Sequence, residues 1–137
     1  MMELNDLYNI YYPHGYKGSF EIGNPVWINE TAFFDNTDNI YIGDRVNISQ
    51  GVVVYTHSHW HKKDVAIDKE VELHGVQHTP LYIDDDVYIG AKAMILNGCS
   101  RIARGCVVGA GSILTKSIDE PNQIWAGNPA RQIGVRN

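Results

Sequence analysis

Between Leu81 and Leu114 the aliphatic residues of this chain recur every six positions. Ile83, Ile89 and Ile95 form one run, and Ile102, Val108 and Leu114 form a second, displaced by one extra residue. Four places after each anchor stand Val87, Ala93, Cys99, Cys106, Ser112 and Ile118, most of them small or slim. A helix repeats near 3.6 residues and a strand near 2, so neither alone produces this period. A period of six does follow if each hexapeptide is a short strand plus a corner and the chain winds as a solenoid. One such unit cannot bury its own anchor. Stacked coils, about 4.8 Å apart as in any sheet, set each anchor on the one below. A sandwich of short strands would not hold one period across so many turns.

The same rhythm opens the chain at Ile22, Ile28, Phe34 and Ile40, slips by two, and restarts at Ile42, Ile48 and Val54. Val26, Ala32, Val46 and Val52 take the slim positions there. The slip falls around Asn36–Asn39, which predicts a bulged polar corner. Gly23, Gly43, Gly90 and Gly109 directly follow anchors, where the chain must turn and a Cβ is unwelcome. The rhythm is absent from about Trp60 to Thr79, and a patternless stretch of that length in a small domain is functional or disordered. Within it Val65, Ile67, Val71 and Leu73 alternate with polar residues, which predicts an arm packing on a neighbour. Pro121, Gly127 and Pro129 argue against a long helix after Leu114 and predict an irregular tail crossing back over the last coils.

The expected organisation is one all-β domain over 1–137. Residues 1–17 form an N-terminal cap, 18–59 the first coils, 60–79 an extruded loop, 80–118 the later coils and 119–137 the tail. The cap is dense in tyrosine (Tyr8, Tyr11, Tyr12, Tyr16), and Asp6 suits the start of a short helix. Its expected task is to cover the open strand edges at the solenoid's end. A solenoid core is narrow and leaves its flanks exposed, so an oligomer is expected.

The formal net charge is −5 and no basic run is present, which argues against a nucleic-acid partner. No apolar stretch approaches the roughly 20 residues that span a bilayer. A charged n-region followed by an apolar h-region is not visible, so no signal peptide is expected. Cys99 and Cys106 both fall at slim inward positions, where a thiol acts as a small hydrophobe. Their spacing does not suggest a disulfide or metal pair, and a reducing cytoplasm suits all of this.

The ordered combination of "ISQGVVVYTHSH", the extruded segment, "TPLYIDDDVYIGAKAMILNG", "VVGAGSILTKSI" and "WAGNPARQI" resembles the hexapeptide-repeat acyltransferases, and within them the short sugar and polysaccharide O-acetyltransferases. The resemblance covers about Phe20 to Ile133. It implies a left-handed parallel β-helix, a homotrimer with active sites between subunits, and acetyl-CoA as acyl donor lying along the groove between two solenoids. It implies a sugar or glycan acceptor, direct attack on the thioester without an acyl-enzyme, no metal, and a histidine before the extruded loop as general base. The family segment runs ISQG, four residues, then TGSH; aligned without a gap, His59 takes the base position and His57 replaces the glycine two places earlier. A sugar hydroxyl is a poor nucleophile until a base removes its proton, and an imidazole titrating near neutrality suits that work. The tetrahedral oxyanion formed on attack needs a positioned donor.

The resemblance carries other residues one at a time. Asn29 matches an asparagine of the acceptor pocket, and Asp35 or Asp38 serves as the acidic residue whose ungapped match is Thr37. His57 is expected beside the acceptor and is the second candidate for the base. Tyr88 replaces the tryptophan of a W-I-G motif, with Ala91 just beyond it; Ala110, Thr115 and Lys116 match positions along the coenzyme groove. Arg131 matches a basic residue on the nucleotide phosphates, a task that suits the guanidinium fork, while Gly134 stands where some relatives carry a second arginine.

Three other readings compete. An amine of an amino sugar would be acetylated by the same machinery. A zinc enzyme like the gamma-class carbonic anhydrases, which share the fold, would use the cluster His57, His59 and His61 with His74 and His78. That family's early arginine–aspartate motif is not found around Ile40–Asp44. A purely structural assembly protein would bind neither acetyl-CoA nor metal.

Overall fold

Each hexapeptide supplies a strand of two or three residues, and three hexapeptides complete a coil. The computed structural model describes residues 7–137. Along each coil the chain visits three faces in turn. The first face holds β2 (Phe20–Ile22), β5 (Ile40–Ile42), β10 (Leu81–Ile83) and β13 (Arg101–Ile102). The second holds β3 (Val26–Ile28), β6 (Val46–Ile48), β11 (Tyr88–Ile89) and β14 (Val107–Val108). The third holds β4 (Phe33–Asp35), β7 (Val53–Val54), β12 (Met94–Ile95) and β15 (Ile113–Leu114). All these neighbours pair in parallel, as winding in one direction requires.

The register stacks the anchors. Ile22, Ile42, Ile83 and Ile102 form one inward column; Ile28, Ile48, Ile89 and Val108 a second; Phe34, Val54, Ile95 and Leu114 a third. The three columns meet in one narrow core, closed at the corners by Ala32, Val46, Val52, Val87, Ala93, Cys99 and Cys106, while Ile118 pairs with Ile102 and extends the first column. Burying each aliphatic anchor contributes about 1.5–3 kcal/mol, so the core's strength is the sum of many equal steps. Both thiols are free and buried, and burial pushes Cys99 up to about 12.

Two departures from strict periodicity shape the surface. At the slip, Ile40 and Ile42 both point inward from the same strand, with Ile40 opposite Phe20 and Leu81. The two additional residues bulge at 35–39, where Asn36 Nδ2 donates to the carbonyls of Ser19 (3.0 Å) and Asp38 (2.9 Å). The extruded segment leaves on β8 (His57–His59) and returns on β9 (Val76–His78), an antiparallel ribbon. Its far end is a 3₁₀ turn, Ile67–Lys69, running into a short helix, α1 (Glu70–His74). The alternation at Val65–Leu73 thus falls on a turn and short helix, with Ile67 and Val71 also spaced i, i+4, and Ile67 and Leu73 remain exposed at its surface. Glu70 organises this end. Its buried carboxylate accepts from Lys62 N at 2.6 Å and pairs with His74 Nδ1 at 3.1 Å.

The tail is more regular than its prolines suggested. β16 (Gln123–Gly127) extends the second face in parallel beside β14, and β17 (Ala130–Val135) folds back antiparallel on β16. The glycine and proline that exclude a helix make the hairpin turn, with Gly127 at φ +105°. At the other end β1 (Asn9–Tyr11) pairs in parallel with β4 and covers its edge. Asn9 Nδ2 fixes it through the carbonyls of Glu30 and Ala32. Asp6 lies outside the described residues. Among those residues no helix is long and apolar enough to cross a membrane.

Candidate active site

The bulge at 35–39 and the base of the ribbon meet where the third face turns into the first. Asp35 ends β4 and is fully buried. Its carboxylate accepts five hydrogen bonds: from Thr37 N (3.2 Å) and Thr37 Oγ1 (2.6 Å) on one oxygen, and from Thr56 N (2.9 Å), His57 N (3.0 Å) and His57 Nδ1 (2.5 Å) on the other. Burial pushes this carboxyl up, but the bonds from Thr37 and His57, the charge of His57 and the Thr56 amide outweigh it, leaving Asp35 below its ordinary value.

That shift has a sign for stability. A carboxyl whose folded pKa is depressed stabilises the fold above its unfolded pKa, near 3.9, and loses that contribution as pH falls through the lower folded value. The urea midpoint of the wild type is expected to fall between about pH 4 and pH 2 more steeply than that of Asp35→Asn. Parallel curves for the two proteins would show that Asp35 carries no linked stability.

An ionised carboxylate can only accept, so His57 Nδ1 carries a proton and Nε2 is the ring nitrogen left without a hydrogen-bond partner among the described residues. The His57 side chain is 12% exposed. His59, two residues along the same strand, presents its ring 5.7 Å from that of His57, centroid to centroid. The third member is His14, on the turn after β1, edge-on to His57 at 5.1 Å and to His59 at 5.2 Å. Desolvation lowers the His14 pKa, and the two neighbouring imidazoles lower it further, against a smaller pull from Asp35. Sequence reasoning placed Tyr8 to Tyr16 in a cap and missed His14. Only the pairing of β1 with β4 brings that turn beside the ribbon.

The five-histidine grouping considered for zinc does not assemble. His74 is taken by Glu70, His78 pairs with Asp38 Oδ2 at 2.6 Å, and His61 is exposed and outside the cluster. Asp38 therefore serves His78, and Asp35 is the acidic residue held against His57.

The remaining candidates lie on other coils. Asn29 is exposed at the turn from the second face to the third, where its Oδ1 accepts from Thr31 N and Oγ1. It lines a hollow of about 480 Å³ with Tyr8 and Trp27 and is not in contact with the histidines. Ala91 and Ala110 occupy that same edge further along, with Gly111 N donating to Ala91 O at 2.8 Å. A Cβ on Gly90 would lie 2.6 Å from Ala110 N, so glycine lets the next coil's backbone pack closely on this buried turn. Tyr88 projects from the second face, half exposed, and Arg131 lies on the adjoining hairpin. Thr115 and Lys116 follow β15 on the histidine edge, two coils beyond His57, with Lys116 Nζ 5.7 Å from the centre of the Trp125 ring. Within one chain Ala91 and Ala110 thus lie on one edge of the third face and Thr115 and Lys116 on the other, while Tyr88 and Arg131 belong to the second face and its hairpin. A hollow of about 600 Å³ lies on the first face between Tyr41, Tyr82 and Arg104 and contains none of them.

No protein-family model matches the chain. It is 30% identical over 119 residues to a provisionally named acetyltransferase of Schizosaccharomyces pombe, covering 86% of this chain and 54% of that protein. It is 32% identical over 96 residues to a galactoside O-acetyltransferase of Lactococcus lactis, covering 69% and 42%. The chain spans about half the length of the curated relatives it matches. A hexapeptide-repeat acetyltransferase of Vibrio cholerae superposes with a TM-score of 0.73 at 25% identity, over 93% of this chain and 70% of the other. That protein has also been solved with acetyl coenzyme A, with a TM-score of 0.76 at 24% identity over 95% of this chain and 72% of the other. The stacked hexapeptide anchors, the parallel coils and these likenesses together make the chain a member of the left-handed β-helix family of hexapeptide-repeat acetyltransferases.

Proposed function

We propose that this protein transfers an acetyl group from acetyl-CoA to a hydroxyl of a sugar or glycan by direct attack. The observation that carries the reading is the Asp35–His57 couple: a buried carboxylate fixes one imidazole nitrogen and leaves the other free beside an open corner. A general base requires that arrangement, a held tautomer with an available lone pair. Sequence matching assigns the base to His59, but among the described residues the His59 ring makes no hydrogen bond, so the geometry favours His57. His57 Nε2 takes the hydroxyl proton as the oxygen attacks the thioester carbonyl, and His59, alongside, contacts the acceptor. Asn29 belongs to the acceptor side by resemblance alone.

The coenzyme residues fit an extended thiol ester. Ala91 and Ala110 add little bulk along the edge, Tyr88 offers an aromatic face, and Lys116 and Arg131 offer cations for phosphates. Ala91 and Ala110 lie on one edge of the third face and the histidines with Lys116 on the other, so an active site that uses both edges requires a second copy. That requirement supports a homotrimer with its active sites between subunits.

Calorimetric titration with acetyl-CoA is expected to give saturable binding at about one site per chain, and incubation with sugars to release the coenzyme thiol. Absence of both binding and thiol release would discard the reading. Thiol release with amino sugars only would transfer it from oxygen to nitrogen acceptors.

A further inference from the structure

We propose that His14, His57 and His59 form a binding site for one divalent transition-metal ion of the zinc class, with Asp35 bracing His57 from behind. One ligand atom from each of the three lies within 4.8 Å of the other two. Three imidazoles with an open fourth position are a recurrent zinc ligand set, and imidazole also suits cobalt, nickel and copper. Bonds of about 2.0–2.1 Å in a tetrahedral site put ligand nitrogens about 3.4 Å apart. Closing the present spread needs movements of about 1.4 Å or less, within reach of side-chain rotation. His14 can supply them, because its turn is open: its neighbours Pro13 and Gly15 are exposed, and Gly15 has no other atom nearby.

His57 needs no adjustment of tautomer. Its Nδ1 proton is committed to Asp35, so Nε2 is the nitrogen offered to an ion, and a carboxylate behind a ligating imidazole is the usual support of a histidine–metal bond. The cluster also differs from the other histidines of the chain. His74 and His78 face carboxylates directly, whereas His14 and His59 make no side-chain hydrogen bond among the described residues. Acetyl transfer gives His14 no task, although its ring is packed against both others. An ion at His57 Nε2 would occupy the lone pair that the base uses. On the acetyl-transfer reading, metal and turnover are therefore mutually exclusive.

The test uses the full chain, freed of metal by chelator, titrated with Zn²⁺ by calorimetry and with Co²⁺ by visible absorbance. One ion per chain is expected, with intense cobalt bands of a four- or five-coordinate site. His14→Ala is expected to weaken Zn²⁺ binding at least tenfold, and Asp35→Asn by about 10–100-fold. His61→Ala is expected to leave it unchanged, with circular dichroism confirming the fold of each variant. The site is overturned if no saturable binding is seen, or if His61→Ala weakens binding as much as His14→Ala. Acetyl-CoA binding measured on the metal-free protein separates the two proposals: its failure counts against acetyl transfer and leaves the metal site standing.

Discussion

His57→Ala is expected to lower kcat for acetyl transfer by about 10²–10⁴, the range that a positioned general base supplies. The Kd for acetyl-CoA should stay within about twofold, because the coenzyme residues lie on other coils. His59→Ala should cost about tenfold or less and act chiefly through KM of the acceptor. Asp35→Asn is expected to fall between the two. An amide can still meet His57 but offers it less charge, and its NH₂ group can impose the wrong tautomer. The decisive comparison is between the two histidine variants, assayed by thiol release at saturating acetyl-CoA. If His59→Ala removes activity and His57→Ala spares it, the base is the residue that sequence matching names. The buried couple then holds the corner's shape rather than the proton.

The second large effect concerns the core. Phe34→Ala is expected to destabilise the chain by about 3–5 kcal/mol, the usual cost of emptying a buried aromatic site. Phe34 has no exposed surface; it stacks in register on Val54, meets Phe20 edge-on at 5.2 Å, and is covered by Ile10 of β1. Domains of this size have about 5–15 kcal/mol in total, so this one truncation takes about a fifth or more. Phe34→Leu, which keeps most of the volume, should cost about 1–2 kcal/mol. Urea denaturation of the three proteins measures both. A loss below about 1 kcal/mol for the alanine variant would mean that β1 collapses into the gap, and that the end of the solenoid is softer than its packing suggests.

Phe34 also shows why the fold was legible from sequence. An inward column needs one apolar residue per coil on each face, and that demand writes a period of six directly into the chain. Even the slip at Ile40 and Ile42 could be seen, because two extra residues must bulge somewhere and the polar run 35–39 was the only place for them. The site was legible in part. Asp35 and His57 were singled out, but which acid faced which imidazole depends on a bulge whose geometry no period encodes. His14 was illegible because its position follows from one strand pairing at the solenoid's end. The short helix around Glu70 was missed for a different reason: a buried glutamate that holds a loop together carries no apolar signal.

The stacking of Ile42 directly on Ile83 has a consequence for how such a chain can change. The chain leaves the solenoid at one corner, makes an excursion, and returns to the next rung without disturbing any column. Closing a longer excursion is cheap, since doubling a loop's length costs only about 0.6 kcal/mol in entropy. The corner therefore acts as a socket: whatever is spliced there is judged by what it recognises, while folding is settled by the coils on either side. The residues that hold a proton stand at the foot of that socket. The segment above them can change in sequence and length while the scaffold and its buried carboxylate remain as they are.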